Sequence, residues 1–466
     1  MVPFFPKIIA NKGLVLYVVS LLVVSIAFFS FSMSFVWMVL GVVEVSAFFV
    51  LSSKYSKEWQ TRAVKDFEST LFWTAVLLRV VWVTFSYFFY IAQTGQPFEF
   101  QARDALGYHL DSEWMAGEDW NVMWNYLYKG RNTVSDSGYM TYLTVVYKIF
   151  GPSIYLARIL KCLLSAFSCV LLYRFTKRSV GEQVGRLAGV FAMLMPNLII
   201  YCGMHLKETE MLFLVVAFLE RTDYVLRSKK FTFLGVLVPI LLAAAMFTFR
   251  TVLGAVALFS FVTAVVFSPS RIMKKGRRWV MAGWVVFAIV VLAGGTIMNE
   301  VEEYWNNRGV NQESKRTEQT LRGNQWAKYA TGTVMAPMIF VIPFSTMVDT
   351  GQENQMVIHG GNYVRNFMGV FVLITLFVVL FKKKNWREFS LAGSFVAGYL
   401  GIIATSGFAN SERFLLPALP CLIVMWAYGI SELTPKSFKF VKYWYIIVPI
   451  MEIGWAYFKI GSRGLL

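Results

Sequence analysis

The sequence predicts an all-α fold, a polytopic bundle of about thirteen membrane-spanning helices. Two observations support this prediction. Hydrophobic residues make up 57% of the 466 residues and charged residues only 15%, which is far more apolar than a soluble domain. The apolar residues also fall into runs of about 17 to 22, the length that a helix needs to cross about 30 Å of hydrocarbon. We therefore expect residues 1–466 to form one transmembrane domain.

The predicted spans follow one another along the whole chain. They cover residues 14–31, 35–51, 71–91, 154–175, 184–201, 211–227, 231–249, 251–267, 280–298, 367–381, 389–408, 414–430 and 441–459. A further apolar run, 334–348, is broken by Pro337 and Pro343. We predict that this run is re-entrant or interfacial, because counting it as a span would disrupt the charge pattern of the loops described next.

The net charge is +17, from 44 Lys and Arg against 27 Asp and Glu. The basic residues lie in short loops between the apolar runs rather than on one domain face, which indicates membrane topology and excludes a nucleic-acid partner. With the N-terminus inside, these loops are cytoplasmic, and two long segments, 93–153 and 299–366, are extracytoplasmic. We expect interfacial helices in these segments, one of them over residues 138–150.

The first outer segment contains the most informative acidic residue. Asp104 follows the third predicted span and precedes Tyr108 by four residues. A carboxylate at the membrane surface can accept a proton from a hydroxyl group, so Asp104 is the candidate catalytic base; capping of the following helix is the alternative. Tyr108, His109, Asp111 and Glu113 are further candidates for catalysis or for acceptor binding.

Charged residues also occupy three short turns that the topology places on the outer side. Lys207, Arg250 and Arg413 are predicted to hold a phosphate group, since cations stabilise the charge that develops on a phosphate leaving group. Glu208 and Glu412, beside two of these cations, are predicted to orient the ligand or to bind sugar hydroxyls. A local ion pair at a helix start is the alternative for Lys207 and Glu208.

Arg158 lies inside a predicted span and shares a helical face with Lys161. It is a further candidate for phosphate binding in a lipid-facing groove, with pairing to another span as the alternative. The three histidines are scattered, so a metal site made of histidine alone is not predicted. No cofactor is certain; outer Asp and Glu side chains could bind a divalent cation, and the metal ligands are unknown. The sequence has no GxxxxGK[ST], HExxH or GxSxG motif.

Several short motifs occur in an order that resembles the GT-C superfamily of integral-membrane glycosyltransferases, particularly the protein O-mannosyltransferase and aminoarabinose transferase branch. They are Asp104 with Tyr108, Phe150-Gly151-Pro152-Ser153, Ala157-Arg158, Pro196-Asn197, Glu208, and the run from Arg413 to Pro420. The resemblance implies transfer of a sugar from a polyprenyl-phosphate-linked donor to a glycan, lipid or protein acceptor. It also implies an inverting reaction on the extracytoplasmic face of a bacterial cytoplasmic (inner) membrane.

Two departures from the family pattern keep other functions open. Many relatives have a second acidic residue directly after the catalytic aspartate, where this chain has Ala105, and the two spans before Leu71 are extra. The base could therefore be Asp111 or Glu113. A polymerase or ligase that transfers lipid-linked oligosaccharide units in surface polysaccharide assembly is the first alternative function. A lipid-linked glycan flippase or transporter is the second.

Overall fold

The structure is a computed structural model, and it describes residues 4–130, 134–228, 233–267, 338–404 and 411–463, with isolated positions between 278 and 321. These residues fold almost wholly into helices, and no β-strand occurs among them. An isolated bridge pairs Ser32 with Val348. The all-α class predicted from the apolar runs is therefore the class that the described chain adopts.

The N-terminal half contains long helices and, after the third of them, a group of shorter helices within the first predicted outer segment. In chain order these are α1 (Lys7–Ala27), α2 (Phe35–Glu58), α3 (Val64–Thr94), α4 (Arg103–Gly117), α5 (Trp120–Asn125), α6 (Ser137–Phe150), α7 (Ile154–Val180), α8 (Glu182–Leu194) and α9 (Pro196–Ile200). The helix predicted over 138–150 is present as α6.

The C-terminal half continues the bundle. Its helices are α10 (Glu208–Arg227), α11 (Phe233–Phe249), α12 (Thr251–Phe267), α13 (Glu353–Val357), α14 (His359–Lys382), α15 (Ser390–Ala404), α16 (Glu412–Ser431) and α17 (Pro435–Gly461). The predicted span 280–298, and the predicted outer segment from 299 to 337, lie outside the described residues apart from isolated positions.

Six helices in the described part of the chain are long and apolar enough to cross a membrane: α1, α2, α3, α7, α14 and α16. The pair α8 and α9 becomes a seventh if the two are counted as one span, bent by 54°. The chain is thus a helical integral membrane protein. Apart from the run 280–298, the other predicted spans each overlap a helix in the described residues. These helices, α10, α11, α12, α15 and α17, are too short or too charged to meet the same criterion. The number thirteen stays a prediction.

Short local signals place the helix ends. Gly95, with φ +74°, ends α3 in the left-handed conformation that glycine adopts without strain. Gly151, with φ +84°, and Pro152 separate α6 from α7, and the Ser153 hydroxyl caps α7 by accepting the Leu156 N–H at 3.3 Å. Contacts described below join the start of α4 to the starts of α10, α12 and α16, and we call this part of the bundle the site end.

Residues 338–348, the described part of the predicted re-entrant run, are mostly non-helical, and residues 341–348 are buried. Asn366 on α14 satisfies this backbone: its side-chain amide donates to the Val341 carbonyl at 2.6 Å and to the Pro343 carbonyl at 3.1 Å. Irregular backbone inside a membrane protein needs such partners, because lipid offers no hydrogen bonds.

The helix α7 packs against α3, α8 and α10. Arg79 on α3 makes hydrogen bonds with both α7 and α8. Its side chain is fully buried, and its Nε donates to the Ser165 hydroxyl on α7 at 2.7 Å. Its Nη1 and Nη2 donate to the carbonyls of Met193 and Ala192, each at 3.2 Å. These carbonyls belong to the last turn of α8, where Pro196 interrupts the helix and leaves acceptors without intrahelical donors. Arg79 therefore stabilises the bend between α8 and α9.

We expect Arg79→Gln to lower the free energy of unfolding by about 3 kcal/mol, because a shorter neutral side chain leaves the carbonyls of the broken helix without donors. Thermal unfolding of the detergent-solubilised protein measures the loss. Lys65→Gln, at an exposed position on the same helix, is the control and should change stability by less than about 0.5 kcal/mol. Equal melting temperatures for the two variants would contradict the role of Arg79.

Candidate functional site

Arg413 lies at the centre of a charged cluster at the site end. It is in the first turn of α16, and its Nη1 lies 2.5 Å from Asp104 Oδ2 in the first turn of α4. Its Nε contacts Glu208 Oε1 at the start of α10. The Glu208 side chain is fully buried, whereas that of Asp104 is 54% exposed. One guanidinium group thus joins a solvent-facing carboxylate to an interior one.

Tyr108 lies one turn beyond Asp104 on α4 and is in hydrogen-bond contact with Arg413. Burial raises the pKa of Tyr108 to about 12, and the nearby Arg413 offsets only part of this. Its ring packs edge-on against Tyr139 of α6, with the ring centroids 5.0 Å apart. Tyr108 is therefore a neutral hydrogen-bonding group in the cluster rather than a proton acceptor.

Arg250, between α11 and α12, is the second cation of the cluster. Its Nη2 lies 3.7 Å from the same Glu208 oxygen that contacts Arg413. Its Nη1 donates to the Tyr399 hydroxyl at 2.9 Å, and its guanidinium lies 4.3 Å from the centre of the Phe414 ring. A planar guanidinium is suited to this combination of ion pair, hydrogen bond and stacking. The arrangement fixes the position of Arg250.

Lys207 immediately precedes α10 and is the third cation. Its ammonium group contacts the Asp136 carboxylate and donates to the Phe249 carbonyl at 2.7 Å. The side chain is 6% exposed. Burial, and to a smaller extent the neighbouring Arg250, lower the pKa of Lys207 to about 7. The charge of Lys207 therefore changes within the physiological pH range.

The structure thus brings together five of the residues singled out in the sequence, with a sixth next to them. One connected cluster contains Asp104, Tyr108, Glu208, Arg250 and Arg413. Lys207 adjoins this cluster, because it directly precedes Glu208 in the chain and its charge interacts with those of Glu208 and Arg250. The ion pair between Lys207 and Glu208 that local sequence suggested is replaced by pairs with residues distant in sequence. The charges of these three cations are balanced by three carboxylates, which belong to Asp104, Asp136 and Glu208.

Arg158 lies apart from this cluster. It is fully buried on α7 and pairs with Glu99 at 3.6 Å, and none of its guanidinium nitrogens makes a hydrogen bond. Lys161, on the same face, lies 3.7 Å from Glu210 and donates to the Met204 carbonyl at 3.1 Å. Both cations therefore have partners on other segments, as the pairing alternative anticipated.

Glu412 also points away from the cluster, although it is adjacent to Arg413 in the chain. One of its oxygens accepts from the Asn362 amide at 2.8 Å, and the other accepts from the Asn197 amide. Asn197 lies in the short helix α9, so this contact ties the start of α16 to the broken helix. In the structure Glu412 orients a helix end rather than the charged cluster.

The other acidic and histidine candidates lie further along α4. His109 Nδ1 is 2.9 Å from the Tyr147 hydroxyl, and its Nε2 is 3.7 Å from Glu113. Burial lowers the pKa of His109, more than Glu113 raises it. The Tyr147 hydroxyl lies 3.3 Å from Nε2 of His205, which is buried. Asp111 is half-buried on α4, two helical turns beyond Asp104.

The sequence did not indicate three residues that pair with the candidate cations. Asp136 contacts Lys207, Glu99 pairs with Arg158, and Tyr399 accepts from Arg250. Asp136 precedes Ser137-Gly138 and has φ +72°, an uncommon conformation for a residue other than glycine. An aspartate before a serine and a glycine is a turn signal, but it does not indicate a distant lysine as partner. In the part of the chain that the structure describes, no group of three or more His, Cys, Asp or Glu side chains is arranged to hold a metal ion.

Compared with known proteins, the chain matches no family model and no curated protein at a significant level.

We expect Arg413→Gln to destabilise the protein by about 3 kcal/mol, because it removes the nearest cation from the fully buried Glu208 carboxylate. The double variant Arg413→Gln with Glu208→Gln should recover part of this loss, since no uncompensated carboxylate then remains. Thermal unfolding of the single and double variants measures the coupling between the two residues. Strictly additive losses would show that the pair contributes no interaction energy.

Proposed function

We propose that the protein is a membrane glycosyltransferase that moves a sugar from a polyprenyl-phosphate-linked donor to an acceptor on the extracytoplasmic face. The observation that supports this most is Arg413, which joins the exposed Asp104 to the buried Glu208 while Arg250 approaches the same glutamate. A solvent-facing carboxylate next to clustered cations, at the end of a membrane bundle, suits a reaction between an aqueous acceptor and a lipid phosphate.

The proposed step is an inverting displacement. A hydroxyl oxygen of the acceptor forms a bond to the anomeric carbon of the donor sugar, and the bond from that carbon to the phosphate oxygen breaks. Asp104 takes the hydroxyl proton, and polyprenyl phosphate leaves with the electron pair of the broken bond. General-base help of this kind typically contributes about 10²–10⁴ in rate. The atoms and charges balance without any further reactant.

The cations have separate proposed roles in this step. Arg413 positions Asp104 and lies where charge on the leaving phosphate would develop, and Arg250 holds the interior side of the cluster through Glu208. Lys207 binds the donor phosphate. The neutral hydroxyl of Tyr108 is available to hydrogen-bond a sugar or acceptor oxygen. The bound acceptor would lie on the half-exposed side of Asp104.

The family resemblance, which rests partly on the same residues, points to the same proposal. It supplies the donor class, the extracytoplasmic face and the bacterial cytoplasmic membrane as the proposed location. The long apolar helices place the protein in a bilayer, which is also where a polyprenyl chain would lie. Transfer of whole oligosaccharide units would use the same carboxylate and cations, so the choice of donor in the assay decides between a single sugar and a larger unit.

We expect Asp104→Asn to lower the rate of polyprenyl phosphate release by about 10² to 10⁴ while the donor still binds. The assay uses protein in lipid discs, a pool of polyprenyl-phosphate-linked sugars and a bacterial envelope extract as acceptor. Asp111→Asn and Glu113→Gln are the matched controls on the same helix, and both should keep near-native rates. If Asp104→Asn kept the native rate instead, the base would be sought at those two positions.

The same assay should show a pH dependence that originates in Lys207. Below pH 7 Lys207 is protonated and attracts the donor phosphate; above pH 7 it loses its charge, so the KM for the donor should rise up to about tenfold from pH 6 to pH 8. A donor phosphodiester keeps one negative charge throughout this range. Lys207→Arg should make the KM nearly independent of pH, because arginine stays charged. An unchanged pH profile in this variant would exclude Lys207 as the source.

A further inference from the structure

Each of the three cations at the site end already contacts a carboxylate. Arg413 contacts Asp104 and Glu208, Arg250 contacts Glu208, and Lys207 contacts Asp136. A phosphate that enters this cluster therefore competes with these carboxylates for the cations. Which carboxylate leaves decides how the site opens for its substrate.

The three carboxylates differ in how firmly they are held. Glu208 is fully buried and contacts two cations. Asp104 is the proposed base and has to remain at the reacting centre. Asp136 is 38% exposed, and Lys207 is its cationic partner. Because water can solvate a partly exposed carboxylate after it leaves, Asp136 is less costly to displace than the buried Glu208. Asp104 is more exposed still, but its role as the base keeps it at the reacting centre.

The backbone at Asp136 points to the same residue. Its φ of +72° is left-handed, a conformation that side chains other than glycine seldom adopt, and it is the residue directly before α6. The start of α6 is anchored on the end of α11, where a Cβ on Gly138 would lie 2.2 Å from the Thr248 hydroxyl. The Asp136 carboxylate is thereby held over Lys207, beside the Phe249 carbonyl that accepts from the same ammonium group.

We propose that the Asp136 carboxylate occupies the position of the donor phosphate on Lys207, and that donor binding displaces it and moves the turn that precedes α6. This inference rests on the proposed function for the identity of the anion, a phosphate attached to a polyprenyl chain. Asp136 is thus a residue that tunes the affinity and selectivity of the subsite. A weakly charged or neutral lipid cannot replace a carboxylate on a buried ammonium group.

The test is the affinity of the full-length protein in lipid discs for a polyprenyl phosphate at pH 6.5. Asp136→Asn should bind at least about fivefold more tightly than the native protein, since the competing charge is gone. The matched control is Asp119→Asn, an exposed aspartate in the same segment with the same change in charge, and its affinity should equal that of the native protein. Asp136→Glu, which keeps the carboxylate, should stay within about twofold of native.

The gain should depend on Lys207. A Lys207→Gln variant should bind polyprenyl phosphate weakly. Adding Asp136→Asn to this variant should change its affinity no more than adding Asp119→Asn does. A fivefold gain that persisted without Lys207 would overturn the inference, because the effect would then be a general change in charge. Equal or weaker binding by Asp136→Asn would overturn it directly.

A second measurement tests the movement without altering the ion pair. Ser135 is half-buried, and the thiol of a Ser135→Cys variant should react with a membrane-impermeant maleimide at least about threefold faster when polyprenyl phosphate saturates the protein. Saturated binding with an unchanged labelling rate would show that the turn before α6 keeps its place and would contradict displacement.

The failure of the two proposals can be told apart. If Asp136→Asn tightens binding but no donor is turned over, the transferase is wrong and the role of Asp136 at an anion subsite stands. If turnover requires Asp104 but Asp136→Asn leaves the affinity unchanged, the transferase stands and the role of Asp136 is wrong.

Discussion

The break between α8 and α9 is the constraint on which the site end depends, and Arg79 makes that break possible. A helix interrupted at Pro196 leaves carbonyl groups without donors, and in a membrane protein the solvent cannot supply them. The buried guanidinium of Arg79 supplies them from the neighbouring helix. After this 54° bend the chain continues to Lys207 and Glu208, which lie at the site end.

The broken helix also positions the second half of the site. Asn197, one residue past the break, donates to Glu412 at the start of α16. Glu412 is thereby held by Asn197 and Asn362, while the adjacent Arg413 contacts both Asp104 and Glu208. The residue after the backbone interruption on one helix thus helps to hold the start of the helix that carries Arg413. Structural and candidate functional polar groups are separate networks that meet at two neighbouring residues.

The charge balance of the site end explains why three cations can lie close together in the protein. Lys207, Arg250 and Arg413 each contact a carboxylate, so no cation is buried as an isolated charge. The same balance implies that an incoming anion competes with the protein for its own cations. Affinity for a phosphate is then set by the difference between two ion pairs rather than by the number of cations.

The sequence was enough for the helical membrane class, for the helix over 138–150 and for the residue types of the site. Long apolar runs, turn residues and charges in short turns are local features, and each has a local physical meaning. It could not predict that Arg158 pairs with Glu99, that Glu412 turns inward, or that Asp136 covers Lys207. Each of these contacts joins helices far apart in the chain, and many pairings of the same charges satisfy the same periodicity. The packing of the helices selects one of them, because it alone sets which charged side chains come within reach of one another.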